Sequence, residues 1–399
     1  MTELIKAPLI AFAKKVMYSV LSKFKYGELQ FIYKDQGLKK NLKNITFGCG
    51  MPSACIYIHN EWVWVRVFFS GSLICLINQS HNVDADKSRT LLAVLAPLFT
   101  SSNSIAKSKK NISDHYDLSN TIFAAFLSPD MSYSCPLWLP FQDAAASADS
   151  MQKAQERKYS YHIKAARLQP SDHVLEIGTG WGSFAIQAVQ ETGCTVTTIT
   201  LSKEQVAWAE KAVRAAGLEA KIRVKYCDYR EVEQLGVKYN KIVSIEMMEH
   251  LGLDHLSTYF STINRLLVED GGIATFQCSM VTESIFPGGA IPSLTEVTTA
   301  VNKGSKQALI IDRIESLGGY GRVLHEWSLA FDRNFESKIK PELVASYPGI
   351  METGIDMFKR KWQFYFAYCQ IGFDSQSLCS KTIRLRRKGT PVLAMDYYE

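Results

Sequence analysis

The segment 175–182 reads Leu-Glu-Ile-Gly-Thr-Gly-Trp-Gly and directly follows a predicted apolar strand at 173–177. Glycines placed there allow the backbone to turn sharply and to approach a ligand closely. In an open parallel sheet, ligands bind at the carboxyl ends of the strands. Dinucleotide folds use G-x-G-x-x-G, with an acid about 20 residues later to hold the ribose. This chain has G-x-G-x-G and Thr200 near that later position, which disfavours NAD.

The pattern E-x-G-x-G-x-G instead resembles the first motif of class I methyltransferases, where the glycine turn passes the methionine part of S-adenosylmethionine. Asp228 follows the third predicted strand, 221–226. An acid at that place typically accepts a hydrogen bond from the adenine amino group; a solvated loop acid is the alternative. Ser202-x-x-Gln205 forms a capping box that needs no ligand, so a helix cap and a cofactor contact both remain open for Gln205.

Several further segments match one family in the same order. Together they resemble the cyclopropane-fatty-acyl-phospholipid synthases and mycolic acid cyclopropane synthases. The resemblance covers about residues 110–388 and, more faintly, 45–75. The matching segments are NISDHYDLSN (111–120), MSYSC (131–135), LEIGTGWG (175–182), TLSKEQ (200–205), SIEMMEHL (244–251) and IFPGGAIPS (285–293).

This resemblance implies transfer of a methyl group from S-adenosylmethionine to the double bond of an unsaturated phospholipid acyl chain. An alkene is a weak nucleophile, and its attack on the methyl group leaves a carbocation on the chain. Loss of a proton from the new methyl group then closes a cyclopropane ring. Such a site must hold a base beside the cation and exclude water. A carboxylate and aromatic faces stabilise the positive charge.

The resemblance also implies a role for individual residues. In the family the base is thought to be a bicarbonate ion, and the motif assigns its contacts to the Cys135 N–H, the Glu249 carboxylate and the Tyr320 hydroxyl. A buried small hydrophobe and a core aromatic are the alternatives for Cys135 and Tyr320. His115 and Tyr116 are expected to shape the opening of the acyl site. The predicted cofactor contacts are Tyr133, Ser134, Glu176, Gly178, Thr179, Gly180, Gly182, Thr200, Leu201, Gln205, Asp228 and Tyr229.

Two positions depart from the family pattern. Glu246 stands where the best-known members have a glycine whose N–H contacts bicarbonate, and Gln277 stands where they have a histidine. A carboxylate beside an anion site is unfavourable unless one of the groups is protonated or the anion is absent. Our hypothesis is that Glu246 or Glu249 replaces bicarbonate as the base.

Two other functions stay open. Plant alkaloid N-methyltransferases share the fold and use a Glu-His pair like Glu249-His250, in which the histidine helps to remove the amine proton. The long leading segment of this chain argues against them. A catalytically silent lipid-binding relative is favoured by the short stretch between Gln277 and Ile285, whereas the intact glycine motif disfavours it.

These residues require an α/β fold. We predict a class I methyltransferase, Rossmann-like sheet of seven mainly parallel strands with helices on both faces. An insertion at about 278–327 and the C-terminal helices should form the lipid pocket, and 381–387 the last strand. A small mixed α+β domain should precede it. The polar stretch 100–110 suggests domains at 1–105 (lipid- or membrane-engaging) and 106–399 (catalytic).

The composition narrows the partners. A net charge of +6 and a pI of 8.7 favour anionic membranes or nucleic acid, yet no nucleic-acid-binding motif is present. The nine scattered cysteines lack zinc or disulfide spacing, which predicts no metal and a reducing compartment. With no clean stretch of about 20 apolar residues, we expect a cytoplasmic protein peripheral to the membrane. Basic clusters at 359–361 and 384–388 either dock on anionic lipid or form solvated faces. Relatives are often dimers, so a homodimer is a further expectation.

Overall fold

A computed structural model describes Lys14, Lys15, Tyr18, Gly27–Tyr33, Ile45–Cys49, Ser53–Ile58, 119–140, 142–281 and 291–390. The chain divides into two compact units. In the first, strand β1 (Gly27–Tyr33) pairs antiparallel with β2 (Ile45–Cys49) and parallel with β3 (Ser53–Ile58). The domain boundary predicted near residue 105 lies outside the described residues and stays a prediction.

A seven-stranded sheet forms the centre of the second unit. Its strands are β4 (His173–Ile177), β5 (Thr195–Thr200), β6 (Ile222–Tyr226), β7 (Lys241–Ile245), β8 (Ile273–Val281), β9 (Leu309–Leu317) and β10 (Leu378–Arg387). The strand order is β6-β5-β4-β7-β8-β10-β9. Neighbours from β6 to β8 are parallel, and β10 runs antiparallel to both β8 and β9. The predicted fold class is confirmed.

Helices cover both faces of this sheet. They are α1 (Asn120–Ala124), α2 (Met151–Ala166), α3 (Ser183–Thr192), α4 (Lys203–Ala215), α5 (Leu256–Leu266), α6 (Leu294–Ser305), α7 (Tyr320–Asn334), α8 (Lys340–Ser346) and α9 (Glu352–Asp374). Successive strand residues point to opposite faces. Thus Leu175 and Ile242 join an apolar cluster with α5 and α6, whereas Val174 and Val243 join a second cluster with α2 and α3.

The C-terminal helices form a third, aromatic cluster with α1. Phe126 contacts Trp327 of α7 and Trp362 and Phe366 of α9, with ring centroids 5.4–6.4 Å apart. Aromatic pairs in such tilted and edge-to-face arrangements contribute beyond their buried area. This cluster holds α7 and α9 beside the carboxyl end of the sheet, where Tyr320 begins α7.

Two expectations were wrong in part. The predicted insertion 278–327 contains sheet residues, because β8 continues to Val281 and β9 lies within it. The edge strand β9 pairs with the outer side of β10, so the backbone groups on that side of β10 form hydrogen bonds. The predicted docking cluster 384–388 is largely internal. Arg384 and Arg386 form ion pairs with Asp312 at 2.7 and 3.1 Å, and the Arg387 guanidinium donates to backbone carbonyls.

Candidate active site

A cavity opens at the carboxyl ends of β4, β5, β6 and β7. This is the edge at which ligands of open α/β sheets bind. Eleven of the twelve predicted cofactor residues line it: Tyr133, Ser134, Glu176, Gly178, Thr179, Gly180, Thr200, Leu201, Gln205, Asp228 and Tyr229. Glu246 and His250 line it as well. Topology therefore brings together residues that are more than a hundred positions apart in the chain.

The glycine turn follows β4 and begins α3. Gly178, Gly180 and Gly182 have φ values of +104°, +51° and +98°, a region that residues with a Cβ rarely adopt. A Cβ at Gly180 would meet nothing within 4 Å, so this glycine borders open space. A Cβ at Gly182 would lie 3.2 Å from the Ala209 Cβ. Gly182 therefore allows α3 to pack closely against α4. It does not line the cavity, contrary to its prediction as a cofactor contact.

The loop after β5 supports both interpretations of Gln205. The Ser202 hydroxyl caps α4 by accepting a bond from the Gln205 N–H at 3.2 Å. The Thr200 hydroxyl donates to Gln205 Oε1 at 2.6 Å, which leaves the Gln205 amide N–H₂ for a ligand. Helix capping and cofactor contact therefore use different atoms of the same residue.

Asp228 is held by a neighbour that the sequence pattern did not reveal. Its carboxylate accepts bonds from Arg230 Nε at 2.8 Å and from the Arg230 terminal nitrogen at 2.7 Å. Asp228 is 1 % exposed, so this bidentate pair balances a buried charge. A carboxylate has about four acceptor positions. The arginine therefore fixes the direction of Asp228 and still leaves acceptor capacity toward the cavity.

The Glu176 carboxyl group is buried and has one oxygen without a hydrogen-bond partner among the described residues. It is buried at 4 % exposure, and its Oε2 has no hydrogen-bond partner among the described residues. Burial raises the pKa of Glu176 to about 8, although a hydrogen bond from Thr198 and the nearby Lys158 oppose this shift. A buried acceptor without a partner is costly. Glu176 is thus arranged to receive a donor from a ligand in the cavity.

Glu246, which follows β7, has a carboxylate surrounded by hydrogen-bond donors. The Cys135 N–H and Gln277 Nε2 donate to its Oε1, each at 2.8 Å. The Tyr320 hydroxyl donates to its Oε2 at 2.7 Å. Two of these donors are groups that the family resemblance assigned to bicarbonate. Because they already bind a carboxylate, the residues present do not fit a separate bicarbonate ion.

The backbone of Glu246 is strained. Its φ is +51°, a region that costs a residue with a Cβ about 1–2 kcal/mol. Its N–H donates to the Gln277 carbonyl at 2.8 Å and so extends the β7–β8 pairing. Strained backbone concentrates at functional sites. The conformation explains why glycine fits this position in the resembled enzymes, and it places the carboxylate at the centre of the donors.

Glu249 lies in a 3₁₀ turn, Met248–His250, and accepts a bond from the Ser279 N–H. Its Oε2 is buried and has no partner among the described residues. Burial, and then the charge of Glu246, raise the pKa of Glu249 to about 8. Burial also raises the pKa of Glu246, but hydrogen bonds from Tyr320, Cys135 and Gln277 oppose the shift. The three donors therefore favour the ionised form of the Glu246 carboxyl group.

Helix α2 supplies polar residues that sequence reasoning missed. Lys158 Nζ donates to the Ser134 hydroxyl at 2.6 Å and to Gln155 Oε1 at 2.7 Å. His162 Nε2 lies 3.1 Å from Gln277 Oε1. Since Gln277 Nε2 donates to acceptors, its Oε1 needs a donor, so His162 carries its proton on Nε2. Gln155, Lys158 and His162 are separated by three and four residues, a spacing that places them on one face of a helix. An ordinary buried helix shows the same spacing, so the pattern alone does not indicate a functional site.

Aromatic side chains pack around the part of the cavity that contains Glu246. Tyr133 lines the cavity, and its ring lies 5.1 Å from that of Trp327. The Tyr320 ring lies 6.3 Å from Trp327 and 4.2 Å from Phe373. Aromatic faces attract cations in a desolvated site. These rings therefore suit a reaction in which positive charge develops beside a carboxylate.

Some predicted residues fall elsewhere. His115 and Tyr116 lie outside the described residues, as does most of the motif at 285–293. Cys135, Gln277 and Tyr320 bind Glu246 and do not line the cavity. His250 lines the cavity but is exposed.

Comparison with known proteins identifies the family. The family model described as mycolic acid cyclopropane synthetase matches residues 103–381. The chain belongs to this family. Members of this family are S-adenosylmethionine-dependent lipid methyltransferases and cyclopropane synthases.

Individual relatives are moderately similar. The tuberculostearic acid methyltransferase UfaA1 of Mycobacterium tuberculosis is 32% identical over 71% of this chain and 66% of its own length. The cyclopropane-fatty-acyl-phospholipid synthase of Escherichia coli K12 is 28% identical over 66% and 64%. The chain thus spans slightly less than two thirds of these proteins. The structure of mycolic acid cyclopropane synthase CmaA1 complexed with SAH and CTAB superposes with a TM-score of 0.59 at 24% identity, over 70% of this chain and 98% of that one, which shows the fold.

The residues of the cavity fit S-adenosylmethionine. The open space beside Gly180 admits a ligand close to the backbone, and Glu176 Oε2 awaits a donor. Asp228 and the Gln205 amide retain hydrogen-bonding capacity for the nucleoside end of the cofactor.

None of the helices in the described residues is long and apolar enough to cross a bilayer.

Proposed function

We propose that the protein transfers the methyl group of S-adenosylmethionine to the double bond of an unsaturated phospholipid acyl chain and forms a cyclopropane. One observation carries the proposal beyond family membership. The Glu246 carboxylate accepts bonds from Cys135, Gln277 and Tyr320 beside the cavity. A fixed carboxylate at this place supplies the base that ring closure needs. We propose Glu246 in that role, in place of bicarbonate.

The chemistry balances with these groups. S-adenosylmethionine, when bound, supplies an electrophilic methyl group. Its transfer to the alkene leaves one positive charge on the acyl chain. Ring closure then removes one proton from the transferred carbon, and Glu246 accepts it. The donors around Glu246 keep the carboxylate ionised and aimed until then, which is preorganisation of charge.

Protonated Glu249 fits the same scheme. Two adjacent carboxylates in a buried site do not both ionise readily. The proton that Glu249 holds limits the negative charge next to Glu246, and the pKa of Glu249 at about 8 keeps it neutral near pH 7. The rings of Tyr320, Trp327 and Phe373 pack together, and apolar surroundings of this kind disfavour water that would otherwise trap a cation.

The test is an incubation with unsaturated phospholipid vesicles and S-adenosylmethionine carrying a trideuterated methyl group. Mass spectrometry of the released fatty acids counts the retained deuterium. A product with two deuteriums shows that the transferred carbon lost a proton, and proton NMR then distinguishes a cyclopropane from an exocyclic methylene. Three retained deuteriums would show that Glu246 does not deprotonate that carbon and would refute ring formation.

Matched variants assign the base. Glu246→Gln should lower turnover by about 10²–10⁴-fold, the usual contribution of a general base. Glu219→Gln, at an exposed position, should leave turnover unchanged. Activity of the native protein should be the same in carbonate-depleted buffer. Clear bicarbonate dependence of the native protein would show that Glu246 has not replaced the ion.

Absence of any modified lipid, together with intact S-adenosylhomocysteine binding, would redirect the proposal to another acceptor. The same cofactor incubated with lipid and amine mixtures would then identify it. The membrane association, the cytoplasmic location and the homodimer stay predictions that vesicle co-sedimentation, cell fractionation and sedimentation velocity can test.

A further inference from the structure

His162 is a buried side chain on α2 to which the proposed reaction assigns no task. It is 0 % exposed. Burial lowers the pKa of His162 to about 4, although the hydrogen bond with Gln277 opposes this shift, so the ring is neutral near pH 7. A neutral imidazole has one nitrogen that donates a hydrogen bond and one that accepts. His162 therefore gives a direction to the hydrogen bond that it forms.

The surroundings of Gln277 decide that direction. Its Nε2 donates to the Cys135 carbonyl at 2.9 Å and to Glu246 Oε1 at 2.8 Å, and its Oε1 lies 3.1 Å from His162 Nε2. An amide oxygen only accepts, so the proton of His162 lies on Nε2. The other tautomer would place two acceptors against each other. It would also bury an N–H at Nδ1, an atom without a partner among the described residues.

These residues form one directed chain of hydrogen bonds from α2 to the proposed base. His162 donates to Gln277, and Gln277 donates to Glu246. Consecutive hydrogen bonds polarise one another, and a bond to an ionised carboxylate is stronger than one between neutral groups. The Gln277 amide is held at its oxygen and at its nitrogen. Its N–H therefore stays aimed at the Glu246 carboxylate.

Packing alone does not explain His162. Gln277 is also 0 % exposed, so its amide oxygen needs a donor from the protein. A leucine on α2 would fill a similar volume, but it would leave that oxygen without the His162 donor, which is costly in a buried site. The position thus requires a side chain that donates from the place of Nε2.

We propose that His162 is a positioning residue for ring closure, because it fixes the Gln277 amide in the orientation that keeps the Glu246 carboxylate ionised and aimed. His162 acts through Gln277 and does not line the cavity. The inference rests on the proposed function, in which Glu246 is the base.

The acid limb of the pH–rate profile reports this effect. A general base acts only when it is ionised, so turnover falls as the pH drops through the pKa of Glu246. Burial raises that pKa, and the Gln277 donor is one of three that oppose the rise. Without an aligned Gln277 donor the pKa should be higher, and the limb should move to higher pH.

Other titratable groups near these two residues are unchanged by a substitution of His162. Those that face Glu246 are Cys135, Lys158, Tyr159, Glu249, Cys278 and Tyr320. Those that face His162 are Lys158 and Tyr161. A shift of the limb in a His162 variant is therefore assigned to the hydrogen-bond chain.

The test measures lipid modification against pH in matched variants. His162→Leu should raise the midpoint of the acid limb by about 0.5–1 pH unit, so turnover on that limb falls about 3- to 10-fold while the plateau changes less. His162→Asn should act in the same way, because its amide overlays Nδ1. His162→Gln, whose amide nitrogen overlays Nε2, should restore most of the native profile. His325→Gln, at an exposed position, should leave the profile unchanged.

A structural role gives a different result. Equal loss of turnover at every pH in His162→Leu and His162→Asn, with the midpoint unmoved, would overturn the inference. The pair His162→Asn and His162→Gln decides the matter even if His162→Leu does not fold. In a Gln277→Leu background, His162→Leu should cause no further shift, and an additional shift would show that His162 does not act through Gln277.

The native product separates this inference from the proposed function. Two retained deuteriums from the trideuterated methyl group, together with an unmoved midpoint in the variants, would refute the role of His162 alone. Three retained deuteriums in the native product would refute the role of Glu246 as the base and, with it, the role of His162. Affinity for S-adenosylhomocysteine should stay within about threefold of native in all His162 variants, since a shift of the base leaves cofactor binding unchanged.

Discussion

Replacing Glu246 with glycine tests both the strain and the proposed role of this residue. Its φ of +51° costs about 1–2 kcal/mol that glycine does not incur. Glycine also raises the entropy of the unfolded chain by roughly 0.5–1 kcal/mol, so the two backbone effects nearly cancel. The loss of three hydrogen bonds of about 1 kcal/mol each remains. We expect Glu246→Gly to unfold with a free energy about 1–3 kcal/mol lower than the native protein.

The activity of this variant carries the stronger test. Without its base, Glu246→Gly should turn over about 10²–10⁴-fold more slowly in carbonate-depleted buffer. The substitution vacates a place bordered by the Cys135 N–H, Gln277 Nε2 and the Tyr320 hydroxyl. A bicarbonate ion of similar shape can accept the same bonds there. Added bicarbonate should therefore restore part of the turnover and raise the midpoint of thermal unfolding, whereas added chloride should do neither.

The assay is formation of the modified lipid by mass spectrometry across a bicarbonate titration, with S-adenosylhomocysteine affinity measured alongside. A variant that binds S-adenosylhomocysteine normally and is not rescued at any bicarbonate concentration would show that these donors do not form an anion site for the base. A variant that keeps native turnover without bicarbonate would show that Glu246 is not the base.

Three further outcomes are expected. Gly182→Ala, with φ at +98° and Ala209 Cβ 3.2 Å away, should cost about 1–3 kcal/mol in urea unfolding, and more than Gly217→Ala, where no atom lies within 4 Å; equal costs would contradict the packing role. Asp312→Ala removes the carboxylate that pairs with Arg384 and Arg386 and should cost about 3–5 kcal/mol; a loss below 1 kcal/mol by the same measurement would refute this. The folded-state pKa of Glu176 is raised to about 8, so its protonated form stabilises the fold and this stability is lost as pH rises toward 8. Cofactor-free Glu176→Gln should therefore melt above the native protein at pH 9 and close to it near pH 5, and identical melting at both pH values would contradict the shifted pKa.

Much of the sheet followed from the sequence, because its signals are local. The strand predicted at 173–177 matches β4, and the strand predicted at 221–226 differs from β6 by one residue. Parallel strands buried on both faces are short apolar runs between helices. Strand β9 was missed because this edge strand mixes Asp, Arg and Glu with its apolar residues and so lacks that signal.

Eleven of the residues that the family resemblance predicts as cofactor contacts line one cavity, since the glycine turn and the strand ends fix their place. The resemblance did not show which groups would meet one another. The Glu246 carboxylate reaches Cys135 and Tyr320 across 111 and 74 residues, and only the packing of α7 and of the loop before α2 brings these donors to it. No local pattern encodes such a distance.

The sequence by itself determined the fold class, the turn at residues 178–182 and the family, because short-range patterning and motif order specify them. The tertiary structure alone decided the charges of the site. It buried Lys158 beside Ser134, left Glu176 Oε2 without a hydrogen-bond partner among the described residues and enclosed Glu246 in donors. The pKa of each of these groups depends on burial and on neighbours that are distant in the chain. Composition and spacing cannot supply that information, because an ionisable side chain has its ordinary pKa until folding removes its water.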